Sequence, residues 1–193
     1  MRSRNITRVV SSLLGAAAGL LTFGAAGEAK ALPGLTFSAS ARGLYGSAVG
    51  DQELNPYGPG LGLRAGVTLP MSLYLGASFD YFAGETQTVA NFDTTVAIYQ
   101  LMADVGYDIG FGPLTLRPVL GLGYANTSVD FSGGGSGLSF EDNSSSDFVL
   151  APAAEFIIGL GLLSVGAEIR YNKVFADDDR DAVVLGIGLG ISL

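Results

Sequence analysis

The sequence of 193 residues is long enough for one domain and too short for two of ordinary size. It contains no cysteine, which excludes disulfide bonds and thiolate chemistry, and no histidine, the commonest catalytic base and metal ligand. The formal net charge is −8. Because the phosphates of nucleic acids repel an acidic chain, we expect no nucleic acid among the partners of this protein.

The first 31 residues have the pattern of a cleaved signal peptide. The chain begins with three arginines, Arg2, Arg4 and Arg8. An uncharged stretch follows from Val9 to Gly27, and Ala29 and Ala31 satisfy the small-x-small rule for cleavage. A permanent membrane helix is the alternative, since this stretch is almost long enough to span a bilayer. Its Gly, Ala and Ser content favours removal, so the sequence predicts a signal peptide at 1–31 and one mature domain at 32–193.

The mature chain alternates apolar and polar side chains with a period of two. Successive side chains of a β-strand point to opposite faces, so this pattern predicts strands with one apolar and one polar face. Eight segments show it: Leu35–Tyr45, Leu61–Leu69, Leu73–Tyr81, Tyr99–Ile109, Leu114–Tyr124, Phe148–Ile158, Leu163–Asn172 and Ala182–Leu193.

Short and long connections alternate between these segments. Short turns are predicted at Pro70–Met71, Gly110–Pro113 and Gly159–Leu162. Long polar loops are predicted at Gly46–Gly60, Ala83–Thr94, Thr127–Ser146 and Ala176–Asp181. Barrels of the bacterial outer membrane have short periplasmic turns and longer extracellular loops. The sequence therefore predicts an all-β fold, a closed antiparallel up-and-down transmembrane β-barrel of eight strands, with both termini in the periplasm and the long loops outside the cell.

Two other folds compete with this interpretation, a soluble lipocalin-like barrel with its apolar face inward and a bundle of membrane helices. The apolar face carries about forty aliphatic and aromatic residues, more than the interior of an eight-stranded barrel can hold. A period of two is not that of helices. The polar face places four arginines among five acids: Arg42, Arg64, Asp80, Asp104, Asp108, Arg117, Glu155, Glu168 and Arg170. An enclosed lumen needs this near balance, because an unpaired buried charge costs several kcal/mol.

With eight strands, a signal peptide and a charged lumen, the chain resembles the OmpA/OmpX class of small outer-membrane barrels. Gly188, Ile191 and Leu193 match the Gly-x-x-apolar-x-apolar assembly signal of that class, although the class usually ends in Phe or Trp. The resemblance implies a monomer in the outer membrane of a Gram-negative bacterium, in contact with membrane lipid and lipopolysaccharide. It also implies that the barrel-assembly machinery recognises the C-terminal strand.

Two functions are open for the nine charged lumen residues. They either plug the barrel with salt bridges, which leaves a structural or surface-interaction protein, or line a narrow porin-like channel for small solutes or ions. The plug is favoured because eight strands leave little free bore. An enzyme is rejected, since the barrel enzymes of this membrane use histidine, and no cofactor is expected. Arginine and aspartate along the route also disfavour an OmpW-like conduit for apolar ligands.

The densest acidic cluster outside the lumen is Asp177, Asp178, Asp179 and Asp181. Carboxylates bind Ca²⁺ or Mg²⁺, but the spacing here is not that of an EF-hand, so we expect solvated charge and no metal site. Lys173 is expected on the lipid face near the outer rim, where its ammonium group could reach a lipopolysaccharide phosphate.

Three smaller features complete the sequence pattern. Gly133–Gly137 lacks the Lys-Ser/Thr ending of a phosphate loop and is expected to be a flexible surface loop. Pro118 and Pro152 fall inside strands, where we expect a bulge or a missing ladder bond at each. An interfacial aromatic belt is predicted from Tyr45, Tyr81, Tyr99, Tyr124, Tyr171 and Phe175 at the outer ends of the strands and from Phe37 and Tyr107 at the inner ends.

Overall fold

The computed structural model describes residues 34–50, 55–89, 92–132, 145–176 and 181–193. These residues form nine strands: β1 (Thr36–Ala48), β2 (Gly58–Thr68), β3 (Leu73–Val89), β4 (Phe92–Tyr107), β5 (Ile109–Phe111), β6 (Leu114–Ser132), β7 (Ser145–Leu160), β8 (Leu163–Phe175) and β9 (Ala182–Ser192). The predicted signal peptide at 1–31, Gly133–Gly137 and Asp177–Asp179 lie outside the described residues.

None of the described residues belongs to a helix that is long and apolar enough to cross a membrane.

The strands form a single antiparallel sheet that closes on itself. Each strand pairs with its neighbours along the chain, and the last strand pairs with the first, from Ser38 opposite Ser192 to Ala48 opposite Ala182. β4 and β5 both pair with β6 and are two parts of one barrel strand. The architecture is therefore the predicted closed up-and-down barrel of eight strands.

The connections lie at two ends of the barrel. At the end that we call the turn end, Thr36 begins β1, β9 ends at Ser192 and short turns join β2 to β3, β5 to β6 and β7 to β8. At the opposite end, the loop end, the chain passes from β1 to β2, β3 to β4, β6 to β7 and β8 to β9.

The two prolines singled out in the sequence, Pro118 and Pro152, interrupt the strand pairing. β6 pairs with the barrel strand that consists of β4 and β5, and Pro118 of β6 has no partner in that ladder. This gap separates β4 from β5. The ladder between β7 and β8 has no pair between Leu150 and Ala153, the gap that contains Pro152. Proline has no backbone N–H to donate, so the predicted missing bonds are confirmed at both positions.

Several predicted connections are too long. The loop predicted at Ala83–Thr94 is wrong, because β3 continues to Val89 and β4 begins at Phe92, with one irregularity in the pairing after Ala83. The segment contains three threonines and Val89, whose branched side chains favour strands regardless of polarity. The loop at Thr127–Ser146 shortens likewise as β6 extends to Ser132. Gly110 belongs to β5, so the turn predicted at Gly110–Pro113 narrows to Gly112–Pro113.

The outer surface of the barrel is apolar and the interior contains the polar side chains. Leu101 and Ile187 point outward and are 64% and 72% exposed, whereas Gln100, one residue from Leu101, is fully buried. An apolar band that surrounds the molecule would be unfavourable in water and is required against lipid acyl chains. This arrangement excludes the soluble barrel with an inward apolar face.

Aromatic side chains lie at both ends of the outward surface, as the sequence predicts. Tyr45, Tyr124 and Phe175 near the loop end, and Phe37 and Tyr107 near the turn end, are each more than half exposed. Such side chains place the apolar ring in lipid, and the hydroxyl group of tyrosine reaches the polar headgroup region.

Ile187 lies in the middle of β9 on the lipid-facing surface. We expect Ile187→Lys to lower the free energy of unfolding in lipid vesicles by about 2–4 kcal/mol, because it puts an ammonium group at mid-membrane depth. Urea titration of vesicle-folded protein measures this change. Met71→Lys at an exposed turn is the control and should have little effect; equal losses for both variants would contradict the assignment of the outer face.

Candidate functional site: the lumen of the barrel

All nine charged residues predicted for the polar face lie inside the barrel. Eight of them are at most 7% exposed, and Asp108 is half-buried at the turn end. The strands bring them together because inward positions recur every second residue and neighbouring strands are in register.

One part of the network is built around Asp80 and Glu168. The Arg42 guanidinium donates to Asp80 Oδ1 at 2.7 Å and to Glu168 Oε2 at 2.9 Å. Arg170 lies 2.7 Å from Asp80 Oδ2 and 3.7 Å from Glu168 Oε1. Two arginines therefore share two carboxylates.

Arg64 and Arg117 extend this cluster toward the turn end. Arg64 contacts Glu168 Oε2 at 2.6 Å, Asp104 Oδ2 at 3.0 Å and Glu155 Oε2 at 3.3 Å. Arg117 contacts Glu155 Oε2 at 3.4 Å and donates to Asp108 from Nε at 2.5 Å and from Nη2 at 3.0 Å. Asp108 and Glu155 are thus the partners of Arg117, whereas Asp104 pairs with Arg64. Shared carboxylates connect all nine residues into one network.

The sequence interpretation missed two neutral side chains that hold this network. The Arg117 guanidinium stacks over the ring of Tyr74, 3.9 Å from the ring centroid, which is a cation–π geometry. Thr68 Oγ1 donates to Asp108 Oδ2 at 2.8 Å. The available signal for Tyr74 was an aromatic ring on the polar face of its strand.

Glycines in the wall provide the space for these long side chains. A Cβ at Gly62 would collide with Asp80 Oδ1, and a Cβ at Gly188 would lie 2.8 Å from Arg42 Cγ. A Cβ at Gly66 would lie 2.5 Å from the Tyr74 hydroxyl oxygen. Glycine is thus required at these lumen positions by the size of the side chain opposite.

The loop-end half of the lumen is apolar, a division of the inward face that the sequence interpretation did not predict. Buried side chains there form one cluster: Leu44, Tyr57, Phe82, Ile98, Met102, Ala125, Val149, Ala151, Val174, Ala182 and Val184. We call this set the apolar layer. Met102, Val149 and Val184 occupy inward positions of their strands, so the signal was present as apolar residues on the polar face. Gln100 and Asn172 cross the layer, joined by a 3.0 Å hydrogen bond from Asn172 Nδ2 to Gln100 Oε1.

The turn-end half of the lumen contains a cavity of about 420 Å³. Serine, threonine and glycine make up half of the residues in its wall, and Arg42, Arg64, Arg117, Glu155 and Glu168 border it. The charged network thus lies between a cavity at the turn end and a packed apolar layer at the loop end.

A separate polar cluster at the loop end contains two residues that the sequence singled out. Asp181 accepts hydrogen bonds from Lys173 Nζ at 2.8 Å, Tyr171 Oη at 2.7 Å and the Val174 backbone N–H at 3.3 Å. Burial opposes ionisation of this carboxyl, but the three donors outweigh it and hold the pKa of Asp181 below its usual value. Asp181 is therefore a paired carboxylate and not the solvated charge that the sequence predicts. Within the described residues, no group of three or more metal-ligating side chains comes together.

Comparison with known proteins identifies the family. The outer membrane protein beta-barrel domain family matches residues 13–191. The chain belongs to this family. Membership places the protein in the outer membrane and confirms the predicted resemblance to small outer-membrane barrels.

Solved structures of outer-membrane barrels share the fold at low sequence identity. The Ail protein of Yersinia pestis is 18% identical and superposes with a TM-score of 0.56, over 84% of this chain and 100% of Ail. Neisserial surface protein A is 15% identical with a TM-score of 0.56, over 82% of this chain and 96% of that one. A major outer membrane protein of Thermus thermophilus is 14% identical with a TM-score of 0.62, over 82% of this chain and 99% of that one. No curated protein sequence matches the chain.

The central position of Arg64 in this outer-membrane barrel gives a stability prediction. Arg64→Met leaves Asp104, Glu155 and Glu168 without a shared counter-charge, so the free energy of unfolding should fall by about 3–5 kcal/mol. Lys173→Met removes an ion pair at the rim, where the lysine side chain is 37% exposed, and should cost about 1 kcal/mol or less. Urea titration in vesicles compares the two variants. Equal losses in the free energy of unfolding would contradict this prediction, because they would show that the ion pairs in the lumen are no stronger than those on a solvated surface.

The depressed pKa of Asp181 predicts a pH-dependent contribution to stability. A carboxyl whose pKa is lower in the folded state stabilises the fold above its unfolded pKa, about 4, and loses that contribution as pH falls through the folded pKa. We therefore expect wild type to be more stable than Asp181→Asn at pH 6, and the difference to diminish below pH 4. Other carboxyl groups titrate in both proteins and cancel in the comparison. A difference that grows on acidification would refute the assignment.

Proposed function

We propose that this protein is a non-enzymatic barrel with a structural or surface-interaction role, and that its lumen is closed to solutes. The proposal is supported by two layers of side chains that close the lumen one after the other along the barrel axis. We call these two layers the two seals. The ion-pair network joins inward residues of β1, β2, β3, β4, β6, β7 and β8, and the apolar layer fills the section above it. A solute would have to disrupt both, in a barrel whose bore is already narrow.

The arrangement of the carboxylates supports the absence of an enzymatic role. Asp80, Asp104, Asp108, Glu155 and Glu168 all contact arginines inside the lumen, and general acid–base catalysis needs such a group free to exchange a proton with substrate. The sequence also contains no histidine.

The orientation follows from the length of the connections. We place the turn end and both termini in the periplasm and the loop end outside the cell, as in outer-membrane barrels generally. The cavity of about 420 Å³ then lies on the periplasmic side, and the longer connections form the extracellular surface available for interaction.

Lipid and lipopolysaccharide are the proposed partners of the outer wall of the barrel. We also propose that the protein is a monomer, because the apolar band surrounds the barrel. Lys173 lies near the extracellular rim, and we propose that its ammonium group is shared between Asp181 and a lipopolysaccharide phosphate. Ail has been solved with sucrose octasulfate, a heparin analogue. A net charge of −8 makes such a polyanion an unfavourable partner for this chain.

The C-terminal strand is the proposed contact with the barrel-assembly machinery. The backbones of Leu193 and Phe37 exchange two hydrogen bonds, of 2.8 and 2.9 Å, so the last residue helps to close the barrel. Before closure this edge is unpaired and can be recognised through Gly188, Ile191 and Leu193 by strand addition.

A narrow channel is the second candidate, favoured by the turn-end cavity, which reaches the charged network from one side. The channel hypothesis differs from the closed-lumen hypothesis because it predicts that the two seals open spontaneously.

Conductance in planar bilayers tests the closed lumen. Wild type should give no stable open-channel current, because the network and the apolar layer both occupy the lumen. A variant with Arg64→Ser, Tyr57→Ala and Phe82→Ala removes bulk from both seals and is the positive control, with discrete current steps expected. Stable wild-type openings of porin size would refute the closed lumen and favour the channel.

A further inference from the structure

The cavity at the turn end, which we call the turn-end cavity, is open to solvent in the closed barrel. At the inward positions of β1, Thr36 is exposed and Ser38 is half-buried, whereas Arg42 further along the strand is buried. Burial increases in the same direction along β8, from the half-buried Ser164 to the buried Glu168. These five residues line the cavity. A small molecule in the water at the turn end can therefore enter the cavity without any movement of the barrel.

Part of this cavity lies beside Gly166, at an inward position of β8. A Cβ at Gly166 would meet nothing closer than the Phe156 carbonyl oxygen at 3.5 Å and Glu155 Oε1 at 3.8 Å, which are ordinary van der Waals distances. Gly62 and Gly188 differ, because side chains of the charged network fill the space in front of them. The glycine at position 166 thus leaves space that no side chain of the described residues takes up.

Glu155 presents an incompletely bonded carboxylate to this space. Its contacts with Arg64 at 3.3 Å and Arg117 at 3.4 Å both involve Oε2. The other oxygen, Oε1, lies next to the free space at Gly166 and accepts no hydrogen bond from the described residues. Because an ionised carboxylate accepts hydrogen bonds at both oxygens, Glu155 Oε1 is an acceptor available to a ligand.

The charges around the cavity favour a cationic ligand. Glu155 and Glu168 are direct partners in the pairing of β7 with β8, and like charges at such positions repel each other. The nine charged lumen residues comprise four arginines and five acids, so the network has a formal charge of −1. An uncompensated negative charge in an enclosed lumen is unfavourable and raises the affinity for a cation.

The other groups in the wall suit an ammonium group better than a metal ion. Within the described part of the chain, no three metal-ligating side chains come together. Ser40, Thr115 and Ser164 line the cavity with hydroxyl oxygens, which accept hydrogen bonds from N–H groups. A protonated primary amine combines several such donors with one positive charge. The cavity of about 420 Å³ is near the lower end of the range for ligand pockets, about 300–1,000 Å³, so the amine must be small.

We propose that the turn-end cavity binds a small protonated primary amine, whose ammonium group donates a hydrogen bond to Glu155 Oε1 beside Gly166. The bound cation neutralises the excess negative charge of the network. The amine enters from the turn end, so the site exists whether or not the two seals open. Under the proposed orientation of the barrel, the amine comes from the periplasm.

Ethanolamine is the probe for this site, because it is a small primary amine that also has a hydroxyl group. Ethylene glycol and glycolate are neutral and anionic counterparts of similar size. Saturation-transfer difference NMR at neutral pH and low salt measures binding to the protein in phosphatidylcholine nanodiscs, which leave both ends of the barrel in water. Empty nanodiscs give the background. We expect saturable binding of ethanolamine with a Kd of about 1 mM, binding of ethylene glycol that is weaker by about tenfold or more, and no binding of glycolate.

Three variants locate the site. Gly166→Leu fills the space beside Glu155 Oε1 without changing any charge, and should abolish ethanolamine binding. Gly43→Leu adds the same side chain on the lipid-facing surface, where a Cβ meets nothing within 4 Å, and should leave binding unchanged. Glu155→Gln keeps the shape of the side chain but removes its charge, and should weaken binding by about tenfold or more. The heat-dependent electrophoretic mobility of each variant verifies that it is folded.

Two results would overturn the amine site. One is binding of ethanolamine that is no tighter than that of glycolate. The other is unchanged ethanolamine binding by folded Gly166→Leu or folded Glu155→Gln protein; if one of these variants does not fold, the other decides. Either result leaves the closed lumen standing, because the conductance measurement tests the closed lumen separately.

Discussion

The enclosed interior of an eight-stranded barrel is the constraint on which the rest of the structure depends. A charge buried in this space loses most of its hydration, so an arginine is stable there only if a carboxylate is buried with it. Arg64 meets this condition with three carboxylates and Arg42 with two. The same space is too narrow for side chains at every inward position, which is why glycines such as Gly62 lie opposite the largest ones.

This constraint divides the lumen into sections with different properties. The middle is held by directional, charge-assisted bonds, the loop end by close apolar packing, and the turn end retains a cavity of about 420 Å³. The network connects the strands of the middle section, since Glu168 and Asp80 contact arginines on different strands. In the loop-end section, Tyr57 is supplied by a connection and not by a barrel strand.

The sequence predicts the barrel more completely than the contents of its lumen. Alternation identified the strands, because a residue such as Ile187 can be placed on one face from its position alone. It also identified the charged inward residues, but not their partners, since Arg64 and Asp104 are 40 positions apart and meet through strand register and rotamer. The apolar layer was not predicted, because the inward face was interpreted from its charged residues, although Val149 and Val184 also occupy inward positions. Tyr57 could not be predicted from alternation, since it belongs to no strand. The ends of β3 and β4 were misjudged because polarity was taken as the sign of a loop.

The account depends on which side of the barrel wall contacts hydrocarbon. This can be measured without mutation, because inward and outward methyl groups lie close together in the sequence, as in Ile98 and Leu101 or Val149 and Leu150. In lipid nanodiscs, nuclear Overhauser effects between lipid acyl-chain protons and protein methyl groups report direct contact. We expect strong effects at the methyl groups of Leu101, Leu150 and Ile187 and none at those of Ile98, Val149 and Val184. Acyl-chain contacts at the second set, with water contacts at the first, would contradict the fold orientation and every functional conclusion drawn from it.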